Sequence, residues 1–444
     1  MITSDFIVLG CGWAGILASY YMLKRGLSVT CIEREFTLGG LLRSEVIKGF
    51  TFDIAGSHII FSRNNESLQE IMAFLDGNIV KHYRKTFVLI NNTAVPYPFE
   101  NGLFMLPPSM RAEILVSFIE ALLEVYRNPG WRPRNLREWI YGYFGREIAR
   151  LYLEPYNEKI WKRPLDEIDV DWVFIPGRLP VPDWRDVVRS GAGVPTEGYR
   201  EQAIFYYPLR GGIQALYDSV LEKVSSMGLR LVRGIEVREV RRVEDRWIVN
   251  GMFEGRKLIS TIPLNELVEV MAAQEDIIKI AKHLDYNSLA VVGVALEGKA
   301  PDMHWVYVPD RSIVFHRYSW ISNYSPYNTP DPNRYSSILV EISIPPAIEV
   351  NPERLVEESL EGLKKLGVIS ESGREILFSK LWVHRYAYPL HTIQSNKARE
   401  RLMEFIRESG VMVLGRWGTW RYLNTDKILE ESLRLVTNIN SNSR

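Results

Sequence analysis

The spacing of apolar positions changes several times along this chain, and each change predicts an element. Phe6-Ile7-Val8-Leu9 is apolar throughout, the pattern of a strand covered on both faces. From residue 16 to 25 the spacing is helical and stops at Gly26, and a second apolar run, 27–32, ends on Glu33. Residues 85–90 and 93–95 flank Asn91-Asn92, a hairpin signal. The period then turns helical. Residues 108–126 read as one helix, Asn135-Leu136-Arg137-Glu138 starts a second that Gly145 stops, and 146–156 form a third. Residues 176–195, rich in proline and glycine, read as a mobile active-site loop. Strands return at 229–232, 237–240 and 257–262 and dominate from about 285 to 345. Asn351-Pro352 opens a helix with Gly367 past its end, and Asn424-Thr425-Asp426 caps a last one over 427–437.

Between the first strand and helix stands Gly10-Cys11-Gly12-Trp13-Ala14-Gly15. Strand, glycine turn, helix, strand and acid together make a dinucleotide-binding βαβ unit. Gly10 allows the tight turn, Gly12 lets backbone approach a pyrophosphate, and Gly15 lets helix and strand pack closely. The helix N-terminus offers N–H groups to the phosphates, and Glu33, 18 residues beyond Gly15, can accept from ribose hydroxyls. A second glycine pair follows in Leu38-Gly39-Gly40-Leu41-Leu42-Arg43. It is similar to the pattern of FAD enzymes of the glutathione-reductase and amine-oxidase type, and it places Arg43 near the pyrophosphate or flavin. The expected fold is α/β. A Rossmann-like FAD-binding domain takes residues 1–85, 203–280 and 400–444, a helical insertion 100–200, and an antiparallel β-sheet substrate domain 86–99 and 281–399.

Composition narrows the partners. Across 444 residues, 54 basic side chains balance 54 acidic ones, which argues against nucleic acid or a polybasic membrane contact. Hydrophobic content of 46% supports real cores in two or three domains. Cys11 and Cys31 provide no disulfide framework and no metal cluster, and Cys31 reads as a small apolar strand residue. No apolar run nears the roughly 20 residues of a membrane span. The apolar start lacks a basic prelude and a cleavage pattern, so it reads as a strand of a cytoplasmic protein rather than a signal peptide.

Further motifs narrow the flavin class. They are Gly56-Ser57-His58-Ile59-Ile60-Phe61-Ser62, Val95-Pro96-Tyr97-Pro98-Phe99-Glu100-Asn101, Pro155-Tyr156-Asn157-Glu158-Lys159-Ile160-Trp161 with Trp172, and Tyr207-Pro208-Leu209-Arg210-Gly211-Gly212. Ser322-Asn323-Tyr324-Ser325-Pro326-Tyr327-Asn328 and the segment from Gly415 to Tyr422 complete the set. In order and over nearly the whole chain they resemble UDP-galactopyranose mutases, especially the eukaryotic-type branch. The resemblance implies an FAD-dependent isomerase, an intramolecular transferase that interconverts UDP-galactopyranose and UDP-galactofuranose through N5 of reduced FAD, with a nicotinamide cofactor, NAD(P)H, as reductant. Its partner would be a UDP-sugar.

The resemblance also implies site residues. His58 holds its loop beside flavin N5, and Arg416 and Asp426 lie at the cofactor. Arg317, eight residues before Ser325, takes the diphosphate-arginine position, where fixed positive charge suits a leaving diphosphate. A second arginine is expected shortly after Trp172. Pro176 stands there, with Arg178 two positions on. Tyr307, Tyr324, Tyr388 and Tyr422 match diphosphate contacts, Asn157 and Trp161 nucleotide-sugar contacts, and Tyr97 a uridine contact. The chain departs from the pattern at four places. Ser57 replaces a glycine, Glu100 a glutamine of the uridine pocket and Gln202 an asparagine, while Asn424-Thr425-Asp426 stands where relatives place glycine and amides. The competing expectation is an oxidoreductase of the amine-oxidase or protoporphyrinogen-oxidase type, which shares the glycine motifs but has a more apolar cleft.

Overall fold

The computed structural model describes residues 1–174, 181–198, 203–346, 348–369 and 375–441. The first apolar runs form the centre of a mixed sheet. Its strand order is Val240–Val243, Arg246–Val249, Phe253–Ser260, Ile2–Leu9, Val29–Glu33, Arg230–Arg233, with Met412–Val413 beside Phe253–Ser260. Ile2–Leu9 is parallel to both neighbours, and Ile7, Val8 and Leu9 are fully buried, as a strand covered on both faces must be. Helix Trp13–Leu23 lies against Gln214–Ser226 and Thr425–Ser441.

One expectation fails here. Cys11 and Cys31 are joined in a disulfide, their Cα atoms 6.1 Å apart. Cys31 lies opposite Val8 in the parallel register, so the turn that follows the first strand folds Cys11 over its neighbour. Spacing alone hides this, because a helix separates the two strands in sequence.

The second sheet runs in the order Ile376–Pro389, Tyr286–Glu297, Tyr335–Ile344, Arg317–Ser319, Trp305–Tyr307, Thr86–Ile90, Thr93–Pro96. It is antiparallel except that Trp305–Tyr307 and Thr86–Ile90 are parallel. Asn91 and Asn92 both have positive φ, 47° and 62°, which the tight hairpin requires. The register sets Arg317 directly opposite Glu341.

The helical segment differs in detail from the expected one. Asn135 caps Leu136–Ile148 by accepting from Glu138 N–H at 2.9 Å. Gly145 does not end that helix but kinks it, with φ of 76°. A Cβ there would lie 2.6 Å from the Ser117 carbonyl oxygen, so glycine serves the crossing of helix Pro108–Arg127. The backbone then widens through a π turn, Ala149–Leu153, into helix Glu154–Trp161. Within the segment expected to be an irregular loop, Asp183 caps a short helix, Trp184–Gly191. Residues 175–180, including Arg178, and 199–202, including Gln202, lie outside the described residues.

Candidate active site

A groove of about 890 Å³ follows the glycine turn and is lined by Gly10, Gly12, Gly40, Glu33, Arg43 and His58, among others. Only backbone separates its two glycine loops: a Cβ on Gly40 would stand 3.2 Å from the Gly12 Cα. Gly12 directly precedes helix Trp13–Leu23, whose first N–H groups lack helical partners. Glu33 accepts from Cys11 N–H at 2.8 Å and Glu35 N–H at 3.1 Å, and a carboxylate keeps further acceptor capacity. Free N–H groups for a diphosphate, an acid for ribose hydroxyls and a close backbone cradle fit a bound dinucleotide.

The histidine turn is built from a buried carboxylate. Asp53 accepts from Ser44 Oγ at 2.7 Å, Ile213 N–H at 3.1 Å and the Tyr207 hydroxyl at 2.9 Å. Burial pushes its pKa up to about 6 despite those bonds. Three residues on, the Gly56 carbonyl lies 2.8 Å from His58 Nδ1. A carbonyl only accepts, so Nδ1 carries the proton and Nε2 is left as an acceptor. Burial, helped by the charge of Arg416, lowers the His58 pKa to about 4, so the ring is neutral at pH 7.

Glu341 ties this turn to the second sheet. Fully buried, it meets Arg317 at 3.0 Å from Nε and at 2.7 and 2.6 Å from Nη2. Its Oε1 also accepts from Ser57 N–H and Oγ, both at 3.1 Å. Burial opposes the Arg317 charge, and the Glu341 carboxylate outweighs it, raising the guanidinium pKa.

A smaller chamber of about 100 Å³ adjoins the groove. Arg84, Tyr307, Arg317, Tyr388 and Tyr422 line both spaces. Tyr388 and Tyr422 stack with centroids 6.0 Å apart, and Arg416 lies over Tyr422 at 4.5 Å. Deeper in, Tyr97 and Tyr156 each pack on Tyr307, at 5.3 and 5.1 Å, and Trp161 meets the Trp172 ring at 4.4 Å. Trp161 Nε1 donates to Asn157 Oδ1 at 2.9 Å, which fixes both side chains. Burial raises the pKa values of Tyr156 and Tyr388, so both phenols remain O–H donors. Cations, hydroxyl donors and aromatic faces together suit an anion attached to a planar ring.

Residues 8–75 match the model of an NAD(P)-binding Rossmann-like domain. A UDP-galactopyranose mutase from Mycoplasma pneumoniae is 29% identical over 175 residues, which span 37% of this chain and 42% of that protein. The crystal structure of a reduced UDP-galactopyranose mutase superposes with a TM-score of 0.89 at 24% identity, covering 99% of this chain and 96% of that one. In sequence and in fold the chain is similar to UDP-galactopyranose mutase. Protoporphyrinogen oxidases match less well. One from Arabidopsis thaliana is 23% identical over 34% of this chain and 31% of its own length. A structure assigned provisionally to that class, from Exiguobacterium sp. 255-15, has a TM-score of 0.76 at 16% identity, covering 100% of this chain and 99% of that one. The sequence matches thus span less than half the length of the curated relatives.

Most site residues expected from the glycine motifs and from the mutase resemblance meet at these two spaces. Gly10, Gly12, Gly40, Glu33, Arg43, His58, Arg317 and Arg416 line the groove. Gly15 and Gly39 stand behind it, Gly39 bridged to Gly12. Tyr97, Asn157, Trp161, Tyr307, Tyr388 and Tyr422 line the chamber. Besides Gly15 and Gly39, three further described residues lie outside both linings. Asp426 is buried and accepts from Ser62 Oγ at 2.8 Å, while its neighbours Asn424 and Thr425 line the groove. Tyr324 is buried against the Phe205 and Tyr207 rings, and Glu100 is buried outside both linings.

Sequence reading missed Arg84, His316 and Glu341. Arg84 lies 4.7 Å over Tyr97 and 4.8 Å over Trp305. Nothing in its local sequence marks it. Glu341 could have been found, because an acid inside the apolar run Ile338-Leu339-Val340-Glu341-Ile342 requires a buried partner.

Proposed function

We propose that this protein is a flavin-dependent mutase that interconverts the pyranose and furanose forms of UDP-galactose or a closely related UDP-sugar. The observation that carries the reading is the shared wall. One set of side chains, Arg317 with Tyr307, Tyr388 and Tyr422, faces both the dinucleotide groove and the aromatic chamber. A cofactor in the groove and a nucleotide sugar in the chamber would meet there.

FAD is the dinucleotide of this proposal, and when bound and reduced it supplies a nucleophilic N5 for the anomeric carbon. Gly10, Gly12 and the start of helix Trp13–Leu23 would hold its pyrophosphate and Glu33 its ribose. Arg317 and the phenols of Tyr388 and Tyr422 would bind the substrate diphosphate and stabilise it as it leaves, since preorganised donors act most strongly where charge develops. Neutral His58 keeps the turn at residues 56–58 in place and presents Nε2 as an acceptor. Trp161, Asn157 and Tyr97 would hold the nucleotide sugar. A nicotinamide cofactor is the proposed reductant.

The test is anaerobic. The purified protein is reduced with dithionite and given UDP-galactofuranose, and the nucleotide sugars are separated by chromatography. Conversion to UDP-galactopyranose by the reduced protein alone is expected. No conversion and no UDP binding would overturn the reading in favour of an oxidoreductase, which oxygen consumption with amine or porphyrinogen substrates would reveal. The cationic and phenolic wall speaks against an amine or an apolar ring face held there, because it repels a cation and an apolar face leaves such donors unpaired.

A further inference from the structure

The chamber contains a polar group that the roles above leave unused. His316 lines it and is 1% exposed. Neither Nδ1 nor Nε2 has a hydrogen-bond partner among the described residues. Buried polar groups are nearly always bonded, so an unbonded one points to a missing ligand. The backbone of His316 is fixed, its N–H donating to the Glu341 carbonyl at 3.1 Å and its carbonyl accepting from Val308 N–H at 2.9 Å. The ring stands 6.2 Å from that of Tyr156.

The neighbours define what would satisfy it. Arg317 follows it in sequence, and burial, with the charges of Arg317, Lys159 and Lys162 added to it, keeps the ring neutral. A neutral imidazole carries one N–H donor, and with neither nitrogen engaged it can place that donor on either. Lys159 is already committed to the Val308 and Asp310 carbonyls, each at 2.8 Å, and Arg317 is partly committed to Glu341. A donor left over in a cationic corner fits an acceptor that carries negative charge. A sugar hydroxyl would not draw on that charge.

We propose that His316 is a recognition residue for the diphosphate of the nucleotide sugar, donating its imidazole N–H to a diphosphate oxygen beside Arg317. The inference rests on the mutase reading and adds to it a specificity-determining side chain.

Binding of UDP and of uridine to the FAD-loaded protein separates the two claims. Wild type and His316→Phe are compared, with visible absorbance reporting bound flavin. The expected result is that His316→Phe keeps its flavin and its uridine affinity but loses UDP affinity at least tenfold, as one charge-assisted hydrogen bond would give. In turnover the KM for UDP-galactose should rise more than kcat falls. Should the phenylalanine variant fail to hold flavin, His316→Ala read by the same UDP-to-uridine ratio decides. UDP binding that the substitution leaves unchanged overturns the inference alone, as does an equal loss for uridine and UDP, which would put the contact at the nucleoside. No UDP binding by the wild-type protein overturns the mutase reading and this inference with it.

Discussion

At the scale of single residues, the pair Arg317 and Glu341 governs how the proposed site can be probed. The carboxylate engages Nε and Nη2, so Nη1 takes no part in the pair and its two N–H groups are the ones that can reach a diphosphate. Replacing Arg317 with alanine therefore removes a ligand contact and also strands a buried carboxylate, and breaking a buried pair costs about 3–5 kcal/mol. Arg317→Ala is expected to abolish turnover and lower the melting temperature while flavin stays bound. Adding Glu341→Gln should restore much of the stability and none of the turnover. Absorbance, thermal melts and turnover of the two variants check this. Loss of flavin in Arg317→Ala would show instead that the arginine props up the cofactor groove.

Elements set the next scale, and the glycine turn is the most constrained of them. A Cβ on Gly15 would lie 2.0 Å from the Gly10 carbonyl oxygen. That backbone atom cannot move without displacing the first strand, so Gly15→Ala should express without visible flavin absorbance. A variant as yellow as wild type would refute it. Beneath the same turn, the Cys11–Cys31 disulfide closes a 20-residue span, worth about 3 kcal/mol in chain-entropy terms. Thiol labelling of the denatured protein should find no free thiol until reductant is added, and reduction should lower the denaturation midpoint. Two free thiols at the outset would refute the bridge. These cases also show what the chain reveals by itself. The βαβ unit was legible because its strand, glycines, helix and acid are contiguous and each answers a local demand. The Arg317 and Tyr388 positions were legible only through the mutase resemblance. The disulfide, Arg84 and the pairing of Glu341 with Arg317 depend on which distant strands become neighbours, and apolar spacing carries no record of that.

The molecule as a whole responds to acid through groups spread over both sheets and their connections. Burial lowers the pKa values of His58, His82, His304, His316 and His384, and those of His58 and His304 fall to about 4. In the unfolded chain a histidine takes its proton near pH ~6.5. Buried Asp53 acts in the opposite sense, its pKa pushed up to about 6, so between about pH 4 and 6 the native state holds a proton that the unfolded carboxylate lacks. In that window the unfolded chain binds two protons on His58 and His304 that the native state refuses, and the native state binds one on Asp53. For these three groups the difference is one proton taken up on unfolding, which lowers stability by about 1.4 kcal/mol for each pH unit of acidification. The other three histidines push the same way, as do the lowered carboxyls of Asp171 and Glu154, while Asp218, Asp426 and Glu431, raised by burial, push with Asp53. Stability from His58 and His304 is therefore complete above pH ~6.5 and is lost as the pH falls toward about 4. Urea denaturation midpoints measured from pH 7 to 4.5 should fall steadily, and calorimetry in buffers of different ionisation enthalpy should find net proton uptake on unfolding at pH 5. A constant midpoint with net proton release would mean that the native structure accepts protons on these rings, and that His58 and His316 are not held neutral beside the proposed site.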